Sequence, residues 1–65
     1  MEEKFEMELT KAMEKYNKTW YEIYDSKLFK EVEKSISKKF FNNDIEKMLS
    51  NEEYKIWNNN MYWEL

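Results

Sequence analysis

Residues 2–24 read EEKFEMELTKAMEKYNKTWYEIY, and within them Phe5, Leu9, Ala12, Met13, Tyr16, Trp20, Ile23 and Tyr24 recur at spacings of mostly three and four. At about 100° per residue these side chains fall in one stripe roughly 120° wide, as expected of an amphipathic helix with a single buried face. Glu2, Glu3 and Glu6 stand at its start, where negative charge suits the positive end of the helix dipole. Met7 and Tyr21 project from the opposite side. The stretch predicts one helix over 3–24.

A second stripe, Leu28, Phe29, Val32, Ile36 and Phe40, also has helical spacing. If the first helix continued unbroken, this stripe would lie roughly 160° out of phase with it. One rod cannot bury both stripes against one core, so the chain must turn at Asp25-Ser26, two residue types that cap helices well. The alternative is a single long helix with two apolar faces and a partner on each. Phase slips again at Asn42-Asn43-Asp44, where Asn43 followed by Glu46 has the spacing of a capping box. A third helix opens there to bury Ile45, Met48 and Leu49. Ser50 followed by Glu53 repeats the box and starts a fourth helix carrying Tyr54, Trp57 and Met61. Should Ser50 fail to break the chain, Ile45, Leu49, Ile56 and Trp63 share one face instead.

The expected fold is therefore all-α: a small bundle of three or four short helices, about 3–24, 26–41, 44–49 and 51–62, or with 44–63 as one helix, in a single helical domain over 1–65. Asn58-Asn59-Asn60 is the nearest thing to a biased tract, and Asn is a mediocre helix former, so the last turn should be weak. The closing Met61-Tyr62-Trp63-Glu64-Leu65 then reads either as a clamp on the core or as an apolar tail.

A chain of 65 residues buries a reduced share of its unfolded surface, and domains of this size usually lean on disulfides, a metal, a partner or bulky core residues. Cys and His are absent, which leaves the bulk of twelve Phe, Trp and Tyr residues, each able to bury on the order of 150–250 Å². Gly and Pro are absent too, so turns must be made by Asn, Asp and Ser. No signal-like segment or apolar run near 18–20 residues is visible, and the expected location is the cytoplasm.

The same absences narrow the chemistry. Without His or Cys, no Ser-His or Cys-His nucleophile pair and no zinc site of the usual nitrogen and sulfur ligands can be built, and without Gly no loop can cradle a phosphate closely. No cofactor or metal is expected, and the chain does not read as an enzyme. Its carboxylates at Glu2, Glu3, Glu6, Glu8 and Glu52-Glu53 read as solvated helix starts. None lies on a buried stripe in the first two helices; only Glu52, in the continuous-helix alternative, would join an apolar face.

Two features point to binding. Tyr21, Phe41, Tyr54, Trp57, Tyr62 and Trp63 cannot all face one small core, and aromatic residues are enriched where proteins meet. These six are the candidate partner-binding residues, with Tyr54, Trp57 and Trp63 as anchors. Separately, Lys27, Lys30, Lys34 and Lys38 follow one another at three or four residues, giving residues 25–41 five Lys against three acids in a chain of net charge −3. That stripe could lie along nucleic-acid phosphates. Against it stand the intervening Glu31 and Glu33, and the lack of any Arg for bidentate contacts. The leading expectation is a small helical protein-protein interaction module, an inhibitor or regulator of a host or defence protein of the kind phages and mobile elements encode. The alternatives are a nucleic-acid-associated regulator using the Lys stripe, and a self-assembling structural subunit that buries its spare apolar face in a homo-oligomer. Membrane association is not expected.

Overall fold

A computed structural model describes the backbone of residues 3–64 and the side chains of residues 3–61. Five helices and no strands are found among the described residues: α1 (Glu3–Tyr16), α2 (Trp20–Tyr24), α3 (Phe29–Phe40), α4 (Ile45–Ser50) and α5 (Glu52–Glu64). α1 packs against α2 and α3, α3 against α4, and α4 against α5. The all-α bundle expected from periodicity is what forms.

The first helix is shorter than its stripe. α1 stops at Tyr16 because Asn17 turns left-handed at φ 52°, and the Lys18 N–H then reaches back to the Met13 carbonyl at 3.1 Å, the six-to-one bond of a Schellman ending. Thr19 opens α2 through a reciprocal arrangement in which its N–H and its hydroxyl both donate to the Glu22 carboxylate, each at 2.9 Å. The expected rod over 3–24 is thus two helices. Its stripe nonetheless survives the break: Phe5, Leu9, Ala12 and Ile23 are buried, and Met13, Tyr16, Trp20 and Tyr24 pack against the core half-buried.

The turn at Asp25-Ser26 stands where phase required it. Ser26 Oγ donates to the Ile23 carbonyl at 2.9 Å and accepts from the Leu28 N–H at 3.2 Å, closing the link into α3. α3 ends where the Ser37 carbonyl accepts from the N–H groups of both Phe41 and Asn43, with Asn42 and Asn43 left-handed at φ 55° and 66°. With no Gly in the chain, Asn supplies all three left-handed positions among the described residues, the side chain that tolerates them best after Gly.

Both later caps fall one residue beyond their expected places. Asp44, not Asn43, caps α4 by accepting from the Lys47 N–H at 3.0 Å. Asn51, not Ser50, caps α5 by accepting from the Tyr54 N–H at 3.0 Å, while Ser50 Oγ turns back to the Lys47 carbonyl. A continuous helix over 44–63 is accordingly excluded, since Asn51 is extended at ψ 130°. α5 runs through Asn58–Asn60 without interruption.

The core is aromatic. Phe5 is fully buried, with Phe40, Phe41, Tyr54 and Trp57 ringed about it at centroid distances of 5.6–6.1 Å. Trp57 also stacks on Phe29, whose other neighbour is Tyr24. α3 and α5 therefore meet α1 at a single residue. Offset and edge-to-face pairs of this kind add about 0.5–1.5 kcal/mol each beyond the area they bury. Phe40 and Phe41 exchange their expected places: Phe41 is buried, and Phe40 is partly exposed beneath the Lys4 ammonium.

Candidate interaction surface

Of the six aromatic residues expected to meet a partner, the structure turns three inward. Tyr54 is 1% exposed and Trp57 2%, and Phe41 is buried beside them. They complete the chain's own core, each packing its ring against Phe5. Tyr21 is 52% exposed and packs edge-on against Trp20. The side chains of Tyr62 and Trp63 lie outside the described residues.

The exposed apolar surface lies elsewhere. Ile45 and Leu49 on α4 are 45% and 49% exposed, and Ile56 on α5 is 52% exposed. Ile45 and Leu49 were expected in the core. A helix of six residues, however, presents only its Met48 inward, and the other two sit about 60° and 100° around the helix from it. Ile56 faces away from the Tyr54, Trp57 and Met61 side of α5. Periodicity does hold a trace of this surface: Ile45, Leu49 and Ile56 share one face if residues 44–63 are phased as a single helix. The segment from Asp44 to Ile56 carries Asp44, Glu46, Glu52 and Glu53 against Lys47 and Lys55, a local charge of −2. Glu52, the acid that the one-helix phasing put on the apolar face, is exposed at the start of α5.

The Lys stripe is present on the outside of the bundle. Lys27, Lys30, Lys34 and Lys38 are all exposed, and none forms an ion pair among the described residues. The two acids that interrupt the stripe in sequence also reach across the bundle, although Glu31 stays beside Lys34 and Lys38. Glu31 accepts from the Tyr16 hydroxyl and pairs with Lys15 on α1 at 3.5 Å, and Glu33 accepts from the Tyr54 hydroxyl at 3.4 Å. The Tyr16 hydroxyl and Lys15 hold the Glu31 carboxyl below its usual range. Burial, with Glu33 beside it, pushes the Tyr54 phenol well above its usual range.

One acid contradicts the expectation that the first two helices bury none. Glu8 is 6% exposed and accepts from Ser35 Oγ at 2.7 Å, Lys39 Nζ at 3.1 Å and Lys11 Nζ at 3.4 Å. Its position three residues after Phe5 and four before Ala12 places it on the edge of the buried stripe, the signal that could have found it. Burial pushes this carboxyl upward, but the Ser35 hydroxyl, Lys39 and Lys11 together outweigh burial and hold it below the usual range. A carboxylate kept ionised by three donors is a clamp between α1 and α3, and it is poorly suited to giving up a proton.

Among the described residues no group of three His, Cys, Asp or Glu side chains converges as a metal would require, and no helix is long and apolar enough to cross a membrane. No protein family matches the chain, and no curated protein or solved structure is similar to it.

Proposed function

We propose that this chain is a non-catalytic protein-binding module whose contact surface is the aliphatic outer side of α4 and α5. The observation that carries this reading is the exposure of Ile45, Leu49 and Ile56 at about half their surface each, in a chain whose aromatic residues close the core behind them. Aliphatic residues left half outside the core still expose apolar area that gains when another surface covers it. The acids around them favour a partner with an apolar recess rimmed by basic residues. A second copy would bring like charges together, which disfavours self-association through this face. Action by occupying a host or defence protein, as an inhibitor or regulator of the sort carried by phages, is our reading of a short Lys-, Glu- and Asn-rich chain without nucleophile-base pairs.

The test is a comparison of the wild-type chain with an Ile45→Ser/Leu49→Ser variant as affinity bait in the native host, followed by binary binding to the purified protein recovered. The variant should lose about 1–3 kcal/mol for the half-buried part of the two side chains, so binding is compared at a temperature where circular dichroism shows both chains folded, and there the variant should lose the partner. A partner held equally by both, or a chain that sediments as a stable oligomer sealed through α4, would overturn the assignment.

A second reading has its own support. With Glu33 engaged by Tyr54, Lys27, Lys30, Lys34 and Lys38 form an exposed cationic edge that Glu31, beside Lys34 and Lys38, still interrupts. If it lies along nucleic-acid phosphates, binding should fall steeply with salt, by a slope near the number of Lys contacts. Absence of a mobility shift at low salt would exclude it.

A further inference from the structure

We propose that the cleft between α1, α2 and α5 is a binding site for a small alkylammonium cation, with a quaternary ammonium head group as the best fit. The cleft has a volume of about 180 Å³. That exceeds the ~150 Å³ of an engineered cavity able to hold benzene, yet falls short of the ~300 Å³ at which sites for larger organic ligands begin. It fits a head group.

The lining selects the charge of the occupant. Trp20 and Trp57 contribute indoles, Met13 and Met61 contribute polarizable thioethers, and Leu9 closes the floor. Glu6 is the one charged residue among those described in the wall, and no Lys lines the cleft. Its carboxylate is half-buried and accepts from the Trp57 indole N–H at 3.3 Å, and it has no ion-pair partner among the described residues. Trp57 is buried and stacked on Phe29, so Trp20 offers the accessible ring, and a recess with that ring beside the Glu6 carboxylate attracts a weakly hydrated cation through the quadrupole and through Coulomb attraction. An anion is repelled, and a neutral group of equal size receives only the apolar part.

Trp57 is held in place before any ligand arrives by its stack on Phe29 and its bond to Glu6, while Trp20 is partly exposed and meets the half-exposed Tyr21 edge-on. Pre-organised walls lower the ordering cost of binding. The site is separate from the α4–α5 surface, and its test does not depend on that surface having a partner.

Titration of the wild-type chain with choline, with its uncharged isostere 3,3-dimethylbutan-1-ol, and with sodium chloride at matched ionic strength provides the test. It is followed by tryptophan fluorescence and by the indole N–H resonances. Choline should bind at least about fivefold more tightly than the isostere, and both Trp20 and Trp57 indole signals should shift. Glu6→Gln, which keeps an acceptor for Trp57, should weaken choline about tenfold and leave the isostere unchanged. Trp20→Leu provides a second variant that does not touch the Trp57 bond, and it should weaken choline more than the isostere. Equal binding of choline and isostere would overturn the proposal. So would shifts reproduced by sodium chloride, or no response up to about 50 mM, a concentration that already admits very weak affinities.

Discussion

Truncating Phe5 to Ala removes the residue on which α1, α3 and α5 converge. Phe5 is fully buried and touches the rings of Phe40, Phe41, Tyr54 and Trp57. Loss of a buried Phe side chain costs about 3–5 kcal/mol through lost transfer energy and the cavity left behind. Here the upper half of that range applies, because large ring systems on four sides cannot collapse into the space without breaking their mutual packing. A chain of 65 residues has roughly 3–10 kcal/mol of total stability, so Phe5→Ala should leave the protein partly or wholly unfolded at 25 °C. The control is two residues away: Met7, on the exposed side of the same helix, should cost less than about 0.5 kcal/mol when changed to Ala. Urea unfolding followed by near-ultraviolet circular dichroism measures both, and thermal melting should show a drop of about 16 °C or more for Phe5→Ala where a transition remains. A Phe5→Ala chain that unfolds cooperatively with a loss below about 1 kcal/mol would refute the convergence of the helices on this residue.

Other expectations follow from particular contacts. Glu8→Gln should destabilise by about 1–2 kcal/mol at neutral pH, less than a fully buried pair would, because the Lys39 and Lys11 ends are half in water. Since the folded carboxyl titrates below its unfolded value, this contribution is present above the unfolded value near pH 4.5 and is lost as pH falls through the folded one. Wild type and Glu8→Gln should therefore converge in stability on acidification, and a gap that persists at pH 2 would contradict the clamp. Tyr54, by burial, should resist alkaline ionisation, as Tyr16 does through its bond to Glu31, so that stability declines as pH rises past about 10; ultraviolet difference titration of Tyr54→Phe, with no late-ionising component removed, would count against its burial. Asn17→Ala should cost about 1 kcal/mol for its left-handed backbone, and Asn17→Gly should cost little or nothing; equal melting of the Ala variant and wild type would remove that turn.

The sequence carried the class of the fold because burial follows the stripe whether or not the helix beneath it is continuous. Phe5 to Tyr24 kept their common face across a break at Asn17, so the periodicity was right about the core and silent about the break. Local chemistry had the missing information in Thr19 and Glu22, which have the spacing of a capping box, and in an Asn where a chain without Gly must turn left-handed. Phase alone also overfilled the core. It assigned Ile45, Met48 and Leu49 inward together, yet a single-turn-and-a-half helix can commit only Met48, and the two others came out as the candidate surface. The aromatic residues went the other way. Tyr54 and Trp57 looked like interface anchors by residue type, but a core this small and free of disulfides needs their bulk. Glu8 and the reassignment of Glu31 and Glu33 depended on tertiary partners 15 or more residues distant, which no local pattern encodes.

Methyl-resolved NMR of the chain bound to the partner recovered with it addresses the contact surface most directly. The methyl groups of Ile45, Leu49 and Ile56 should shift and become protected from solvent, while Ile23, Val32 and Ile36 in the core keep their free-state positions. Methyl groups of Ile45, Leu49 and Ile56 that stay unchanged in the complex, with backbone amide shifts confined to the α3 edge bearing Lys30, Lys34 and Lys38, would contradict the account.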